Sequence, residues 1–418
     1  MKITSVVGVN FGDEGKGRMV DYFAGQYDYV VRYQGGDNAG HTVKNEFGEF
    51  ALHLIPSGIF HEKTVNILGP GMVVNLESLK REIDQLKEGG IHVGPDNLKI
   101  SHRASLLLPY HVQQDQEEEK RLKDKRYGST KRGIAPAYGD KYMKKTIQLG
   151  ELYDMDLCKD HFDQLVEYKK EVFNYQYDFT GIWDRLVELR EELLPYIVDV
   201  YDILDQAVKD KSILLEAQLG AMRDVDYGIY PYTSSSSPLA CYAPLGCGYP
   251  KLKIDSVVGI VKAYGTCVGE GPFIGELTGD QGDKLRELGH EYGAATGRPR
   301  RISYFDCVSS RYGVNLQGAT ELALTKLDVL SSYDEIPMIV AYKKGDITTK
   351  EFPFTPMLEG FEPVYKTFKG WKQDLTGIRS YQDLPQEARD YIEAIEGELG
   401  TKIKYISIGP ARDELIVR

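Results

Sequence analysis

Cysteine and tryptophan are both scarce in this 418-residue chain, with five and two copies. The cysteines, Cys158, Cys241, Cys247, Cys267 and Cys307, are odd in number, scattered and without a CxxC pair. That pattern argues against a disulfide framework or a cysteine zinc site, and makes reduced thiols in a cytoplasmic protein the expectation. Long apolar runs are missing too. No window approaches the roughly 20 apolar residues that a membrane-spanning helix needs. The run from Met1 to Gly8 is too short for a signal peptide and reads as a buried strand. Positive charge is in deficit, with 51 Lys and Arg against 63 Asp and Glu, a net charge of −12. Nucleic-acid phosphates would be repelled over most of such a surface, although a local cluster of Arg and Lys can still hold a single nucleotide. Internal repeats and a convincing domain boundary are absent as well.

What is present suits a globular protein: 42% hydrophobic and 27% charged residues. A chain this long buries a large core, either as two or three domains or as one large α/β body. The 29 tyrosines, against 14 phenylalanines, read as packing residues with a wet tip. Ile3 to Val9 is strand-like, Gly15 to Tyr27 helical and Tyr29 to Tyr33 strand-like again, a rhythm that predicts a parallel sheet. Asn75 is a good N-cap for a helix with Leu76, Leu79, Ile83 and Leu86 on one face, stopped by Gly89-Gly90. The charged run from Asp115 to Arg126 reads as a solvated helix face, and residues 150–210 as a helical layer. Ser212 to Leu219 opens a second strand-rich half, and Thr233 to Pro238, with four consecutive serines, looks like a linker in composition.

Four clusters carry chemistry. Gly12-Asp13-Glu14-Gly15-Lys16-Gly17-Arg18 lies between a buried strand and a helix, where glycines, a helix N-terminus and a lysine suit phosphate. It departs from a regular Walker A loop: Asn10 stands where the first glycine belongs, and Gly17 replaces Ser or Thr. Gln34-Gly35-Gly36-Asp37-Asn38-Ala39-Gly40-His41-Thr42 follows the next strand. Two loops at the ends of neighbouring parallel strands share one crevice, so His41 is a candidate functional residue. In Thr325-Lys326-Leu327-Asp328 the carboxylate can accept from guanine N1–H and its 2-amino group, a pairing adenine does not offer. Alternatively this cluster is only the charged end of a helix. Ala294-Ala295-Thr296-Gly297-Arg298-Pro299-Arg300-Arg301 concentrates arginines whose forks bind carboxylates and phosphates.

Together these clusters resemble the adenylosuccinate synthetase family along essentially the whole chain. The similar segments are GDEGKGR (12–18), QGGDNAGHT (34–42), GSTKRGIAPAYGDK (128–141), DYGIYPYTSSSS (226–237), VGEGPF (268–273), TGRPRR (296–301), TKLD (325–328) and SIGP (407–410). The resemblance implies one large α/β domain over residues 1–418 with a central, mostly parallel twisted sheet. It further implies a P-loop-like GTP site, helical layers, smaller subdomain insertions and a homodimer. The implied reaction condenses inosine monophosphate (IMP) with L-aspartate at the expense of GTP. The 6-oxygen of hypoxanthine is a poor leaving group until phosphorylated. By resemblance, Asp13 takes the proton from N1 of IMP, the 6-oxygen attacks the γ-phosphoryl group, and His41 and Lys16 assist. Mg²⁺, one per subunit, is expected on the Asp13 carboxylate and the Gly40 carbonyl.

Carried over by position, GTP is expected to meet Gly12, Asp13, Glu14, Gly15, Lys16, Gly17 and Arg18. Its further contacts fall on Gly40, His41, Thr42, Arg300, Lys326, Leu327, Asp328, Ser407, Ile408 and Gly409. IMP is expected to meet Asp13, Glu14, Gly15, Lys16, Asn38, Ala39, Gly40 and His41, with Thr130, Gln218, Leu219, Ser234 and Arg298. Aspartate falls to Ala294, Ala295, Thr296, Gly297, Arg298, Pro299 and Arg300. Lys144 is expected to reach the partner subunit's IMP site. Four positions depart from the common pattern: Lys144 for Arg, Ser234 for Thr, Ala295 for Thr, and Gln218-Leu219, where Gln comes one residue early. Either Gln218 or Leu219 then faces the purine. A relative that accepts dGMP and a GTP-dependent switch without ligase chemistry are the competing readings; a switch needs no aspartate site, and a purely structural core does not require so many polar glycine loops. Replacing Lys144 by Arg turns a point charge into a fork, so Lys144→Arg is expected to tighten IMP binding. Unchanged or weaker affinity by calorimetry would count against that contact.

Overall fold

The computed structural model describes residues 2–38, 40–45, 47–173, 177–293 and 297–418. Its centre is a 10-stranded sheet. In chain order the strands are β1 (Ile3–Gly8), β2 (Tyr29–Arg32), β3 (Val65–Leu68), β4 (Leu98–Ser101), β5 (Ile197–Val198), β6 (Ile213–Glu216), β7 (Ser256–Lys262), β8 (Glu321–Thr325), β9 (Ile403–Ser407) and β10 (Leu415–Val417). The spatial order is β10-β9-β8-β7-β1-β6-β2-β3-β4-β5. Every pairing is parallel except β9 with β10. A parallel sheet covered on both faces needs continuous apolar strands, and β1 and β6 are buried at every position.

The opening rhythm appears as β1, helix α1 (Lys16–Ala24) and β2. The expectation that β1 and β2 are neighbours is corrected: β6, from the second half of the chain, lies between them and pairs with both. A crossover helix fixes the direction of the next strand but leaves room for a strand that arrives later. The register aligns Val6 with Glu216 and Glu216 with Arg32. It likewise aligns Lys262 with Thr325. Three charged residues therefore end β2, β6 and β7 at the sheet's carboxyl edge, where ligands of such sheets bind.

Helix α2 (Leu76–Glu88) forms as expected, with the Asn75 side chain accepting from the Glu77 and Ser78 N–H groups at 3.1 and 3.2 Å. Its Leu76, Leu79, Ile83 and Leu86 are buried. The charged run lies on α3 (Pro109–Leu122), and the fully solvated face expected there is corrected. Asp115 is buried and accepts from Ser129 Oγ (2.6 Å) and the Gly133 N–H (2.9 Å), while Glu119 accepts from the Tyr127 N–H. Those carboxylates staple residues 127–133 ahead of α4 (Ile134–Met143). The helical layer comprises α5 (Met155–Val172), α6 (Ile182–Leu193) and α7 (Val200–Ala207). Inside it, fully buried Lys169 is 2.7 Å from Asp140, which also lies 3.0 Å from His111. The serine segment is no linker: Ser237 donates to Asp224 (2.6 Å), and buried Ser236 to Gln34 (3.3 Å). All five cysteines are free. No helix among the described residues is long and apolar enough to cross a membrane.

Candidate active site

The loop between β1 and α1 is braced from within. Glu14, buried, accepts the N–H groups of Asn10 (3.1 Å) and Gly12 (2.8 Å) through Oε1, and holds Lys16 Nζ at 2.6 Å through Oε2. Gly15 caps α1 at φ 97 with no side-chain cap hydrogen bond among the described residues. Asp13 sits at φ 59, a conformation L residues avoid, and its carboxylate is 30% exposed. Gly17 is explained by contact: a Cβ there would stand 2.6 Å from the His41 ring. His41 thus lies against the first turn of α1, in the space a Ser or Thr would take.

His41 begins a two-stranded ribbon, His41–Asn45 paired with Gly48–Leu52. Its Nε2 is 3.4 Å from Glu216 Oε1, close but not aligned as a hydrogen bond. Glu216 is held by the Ser57 N–H (3.0 Å) and hydroxyl (3.3 Å). Burial, together with Arg32, His53 and Lys16 nearby, keeps the His41 imidazole well below the usual 6.5. The resting ring is neutral and carries a single N–H. Asn38 Oδ1 is buried without a partner among the described residues, and Asp37 takes the Ser78 hydroxyl at 2.6 Å. Ala39 lies outside the described residues.

Gln218 and Leu219 are held in different ways. The Gln218 amide clasps the Gly36 backbone, accepting from its N–H and donating to its carbonyl, both at 3.1 Å. Gln34 Nε2 donates to the Gln218 carbonyl at 2.6 Å. Leu219, at φ 63 and only partly buried, is the side chain left beside Gly12.

Thr325 donates to the Glu14 carbonyl at 2.6 Å, so TKLD is the exit of β8 against the first loop rather than a helix end. Lys326 (φ 63) donates to the Gly289 carbonyl at 3.0 Å, and Leu327 is buried. Asp328 is half-buried, accepts from no other residue among the described residues, and burial raises its carboxyl. Arg18 donates to Ser407 Oγ and to the Ala411 and Glu414 carbonyls, and Ser407 to the Gly409 carbonyl (3.1 Å); Ile408 is buried. The arginines diverge, correcting a single anion cluster. Arg301 turns to Glu276 (2.6 Å) and the Gly271 carbonyl, whereas Arg300 meets Asp13 and Glu291. Gly297, Arg298 and Pro299 are exposed; Ala294, Ala295 and Thr296 lie outside the described residues.

Loops 12–18, 34–42, 218–220, 325–328 and 407–409 and Arg300 are thus joined by direct contacts. Besides residues 297–299, Thr130, Lys144 and Ser234 stand apart from those contacts. Thr130 is exposed after the Ser129 staple, and Lys144 is exposed at the end of α4. Ser234 donates its N–H to the Arg223 carbonyl and touches Ser236, which leads to Gln34. Sequence reasoning missed Arg32, Glu216, Lys262 and Glu291. A charge at the last position of an apolar strand was the available signal for the first three.

A parallel sheet with a glycine-rich loop after its first strand, a carboxylate and an imidazole beside that loop, and a separate half-buried carboxylate has the layout of a nucleotide-dependent α/β enzyme. The family model for adenylosuccinate synthetase matches residues 5–416. The chain is 42% identical to adenylosuccinate synthetase from Caldanaerobacter subterraneus, across 100% of this chain and 99% of that one. It is 44% identical to the Halothermothrix orenii protein of that name, across 99% and 98%. Fully ligated adenylosuccinate synthetase from Plasmodium falciparum superposes with a TM-score of 0.94 at 36% identity, covering 100% of both chains. The chain belongs to the adenylosuccinate synthetase family, GTP-dependent and Mg²⁺-using ligases that join IMP to L-aspartate on the way to AMP.

A histidine with a folded value below its unfolded one binds its proton later in the folded state. Stability from His41 is therefore complete above 6.5 and declines as pH falls from there toward the folded value. In the ligand-free protein the His41 ring protons should show no NMR titration between about pH 6 and pH 8. A midpoint at the ordinary histidine value would refute the burial argument.

Proposed function

We propose a residue-level division of labour for the family's reaction in this chain. Asp13 accepts the N1 proton of IMP, and the 6-oxygen then forms a bond to the γ-phosphorus as the bridge to the β-phosphate breaks. Neutral His41 donates its N–H toward the transferring oxygens, and Lys16 with the α1 N-terminus balances their charge. Arg298 and Arg300 hold the carboxylates of aspartate, whose amine attacks C6 and displaces phosphate. Asp328 reads guanine, and Ser407 to Gly409 and Lys326 line the rest of the nucleotide. Gly12, Glu14, Gly15, Gly17, Arg18, Gly40, Thr42, Leu327 and Arg300 complete the GTP contacts. Asn38, Thr130, Ser234 and Leu219 attend the purine nucleotide. The observation that carries this reading is the convergence of Asp13, His41 and Lys16 on one loop, with Thr325 and Arg18 tying the TKLD and 407–409 segments to it.

The donor set fits a hard cation. Asp13 offers one partly exposed carboxylate and Gly40 a carbonyl, and no cluster of three ligating side chains exists among the described residues. That sparseness suits Mg²⁺ completed by phosphate oxygens and water, and when bound the ion neutralises phosphate charge. Asp13 must release Arg300 before it serves as base. We also read residues 1–418 as one domain and the chain as a cytoplasmic homodimer. Lys144 then reaches the partner's IMP site, supported by exposed Tyr142 and Met143 immediately before it.

A coupled assay with GTP, Mg²⁺, IMP and L-aspartate, each omitted in turn, tests the reading. Turnover should require all four, and Asp13→Ala or His41→Asn should lower kcat by about 10²- to 10⁴-fold. GTP turnover independent of IMP and aspartate would favour a switch, and activity with dGMP but not IMP would reassign the purine.

A further inference from the structure

Two of the most deeply buried charges near the site have no part in the proposed steps. Glu291 and Lys262 have side-chain exposures of 0% and 3%, and their charged atoms are 2.9 Å apart. Glu291 gathers more than Lys262. Tyr264 donates to the same Oε1 at 2.6 Å, and Arg300 Nη1 lies 2.6 Å from Oε2. The backbones are tied as well: the Arg300 N–H donates to the Glu291 carbonyl (2.9 Å), and the Gly293 N–H to the Arg298 carbonyl (2.8 Å). Tyr292 bridges Pro299 in antiparallel fashion, and Arg286 Nε holds the Arg300 carbonyl at 3.0 Å.

One edge of the Arg300 guanidinium is therefore fixed and the other is not. Its Nε is 3.0 Å from Asp13 Oδ2, but the N–H is not aligned for a hydrogen bond and finds no other acceptor among the described residues. The charges explain why the fixed edge needs a carboxylate. Lys262 and Arg300 contribute two positive charges and Glu291 one negative, so these three carry one excess positive charge, which Asp13 balances. When Asp13 turns to its substrate, that excess faces the site. Burial alone would raise the Glu291 carboxyl, but Lys262 and Arg300 outweigh it and lower it to about 2.

We propose that Glu291 is a positioning residue for L-aspartate recognition: it holds Arg300 by one edge, so that the other edge passes from Asp13 to a carboxylate of the incoming amino acid. Lys262 and Tyr264 keep Glu291 ionised and oriented. The inference rests on the reading of Asp13 and Arg300 given above. A bidentate guanidinium must be oriented to recognise a carboxylate, and a tether on its far edge supplies that orientation.

Steady-state kinetics of the full-length wild type, Glu291→Gln, Glu291→Asp and Tyr264→Phe test it, with melting temperatures alongside. Glu291→Gln should raise KM for L-aspartate roughly tenfold or more while KM for IMP stays within about twofold. Glu291→Asp keeps the charge beside Lys262 but shortens the reach, and decides the question if Glu291→Gln does not fold. Tyr264→Phe should shift KM for aspartate the same way, by roughly threefold. Folded Glu291 variants with unchanged KM for aspartate, or with all KM values rising together, would overturn the proposal. A wild type that does not need aspartate for turnover would instead overturn the reading beneath it.

Discussion

The site rests on one buried carboxylate. Glu14 accepts two loop N–H groups, holds Lys16 at 2.6 Å, and its carbonyl takes the Thr325 hydroxyl. The loop that would cradle phosphate is thereby shaped before any phosphate arrives. A buried ion pair is costly to desolvate, and removing one partner typically costs about 3–5 kcal/mol, a large share of the roughly 5–15 kcal/mol that holds a domain together. The side chains on either side are freed for other work: Asp13 points outward, and His41 rests against Gly17.

Around that brace, charge is distributed by sheet register. Arg32, Glu216 and Lys262 each occupy the last position of a parallel strand, and the register puts Arg32 beside Glu216 and Lys262 beside Thr325. Each charge is buried, and each meets groups of the opposite sign or donors aimed at it. Glu216 stands behind the imidazole and Glu291 behind the guanidinium. The His41 imidazole and the Arg300 guanidinium thus each have a buried carboxylate at their backs. Asp13, Leu219 and Lys326 take left-handed backbone at loop positions where glycine is the cheaper choice, at a cost on the order of 1 kcal/mol each. Such conformations are held by the surrounding contacts, and here they gather at the same edge of the sheet.

Much of this was legible in the residues. Apolar runs announced β1, β2 and β6, Asn75 announced α2, and the glycine-rich loops and TKLD marked strand exits. Strand adjacency was not legible, because β6 inserts between β1 and β2 from more than 180 residues away, as the Glu216–Arg32 pairing records. The supporting carboxylates were also hidden. Nothing local distinguishes Glu291 from any other glutamate near a helix end, since its partners lie on Lys262, Tyr264 and Arg300. Conversely, the acidic run on α3 looked like solvent-facing charge, yet Asp115 and Glu119 turn inward to staple a loop. The clasp of Gln218 on Gly36 was likewise hidden, because the two residues lie on separate strand exits.

The central claim is that Asp13 and its neighbours make the 6-oxygen of IMP a nucleophile toward the γ-phosphoryl group. Turnover of IMP labelled with ¹⁸O at the 6-position, followed by mass analysis of the released phosphate, tests it directly. The account predicts that the label appears in the phosphate in step with product. Label recovered in water, or retained on the purine while phosphate is released, would contradict it.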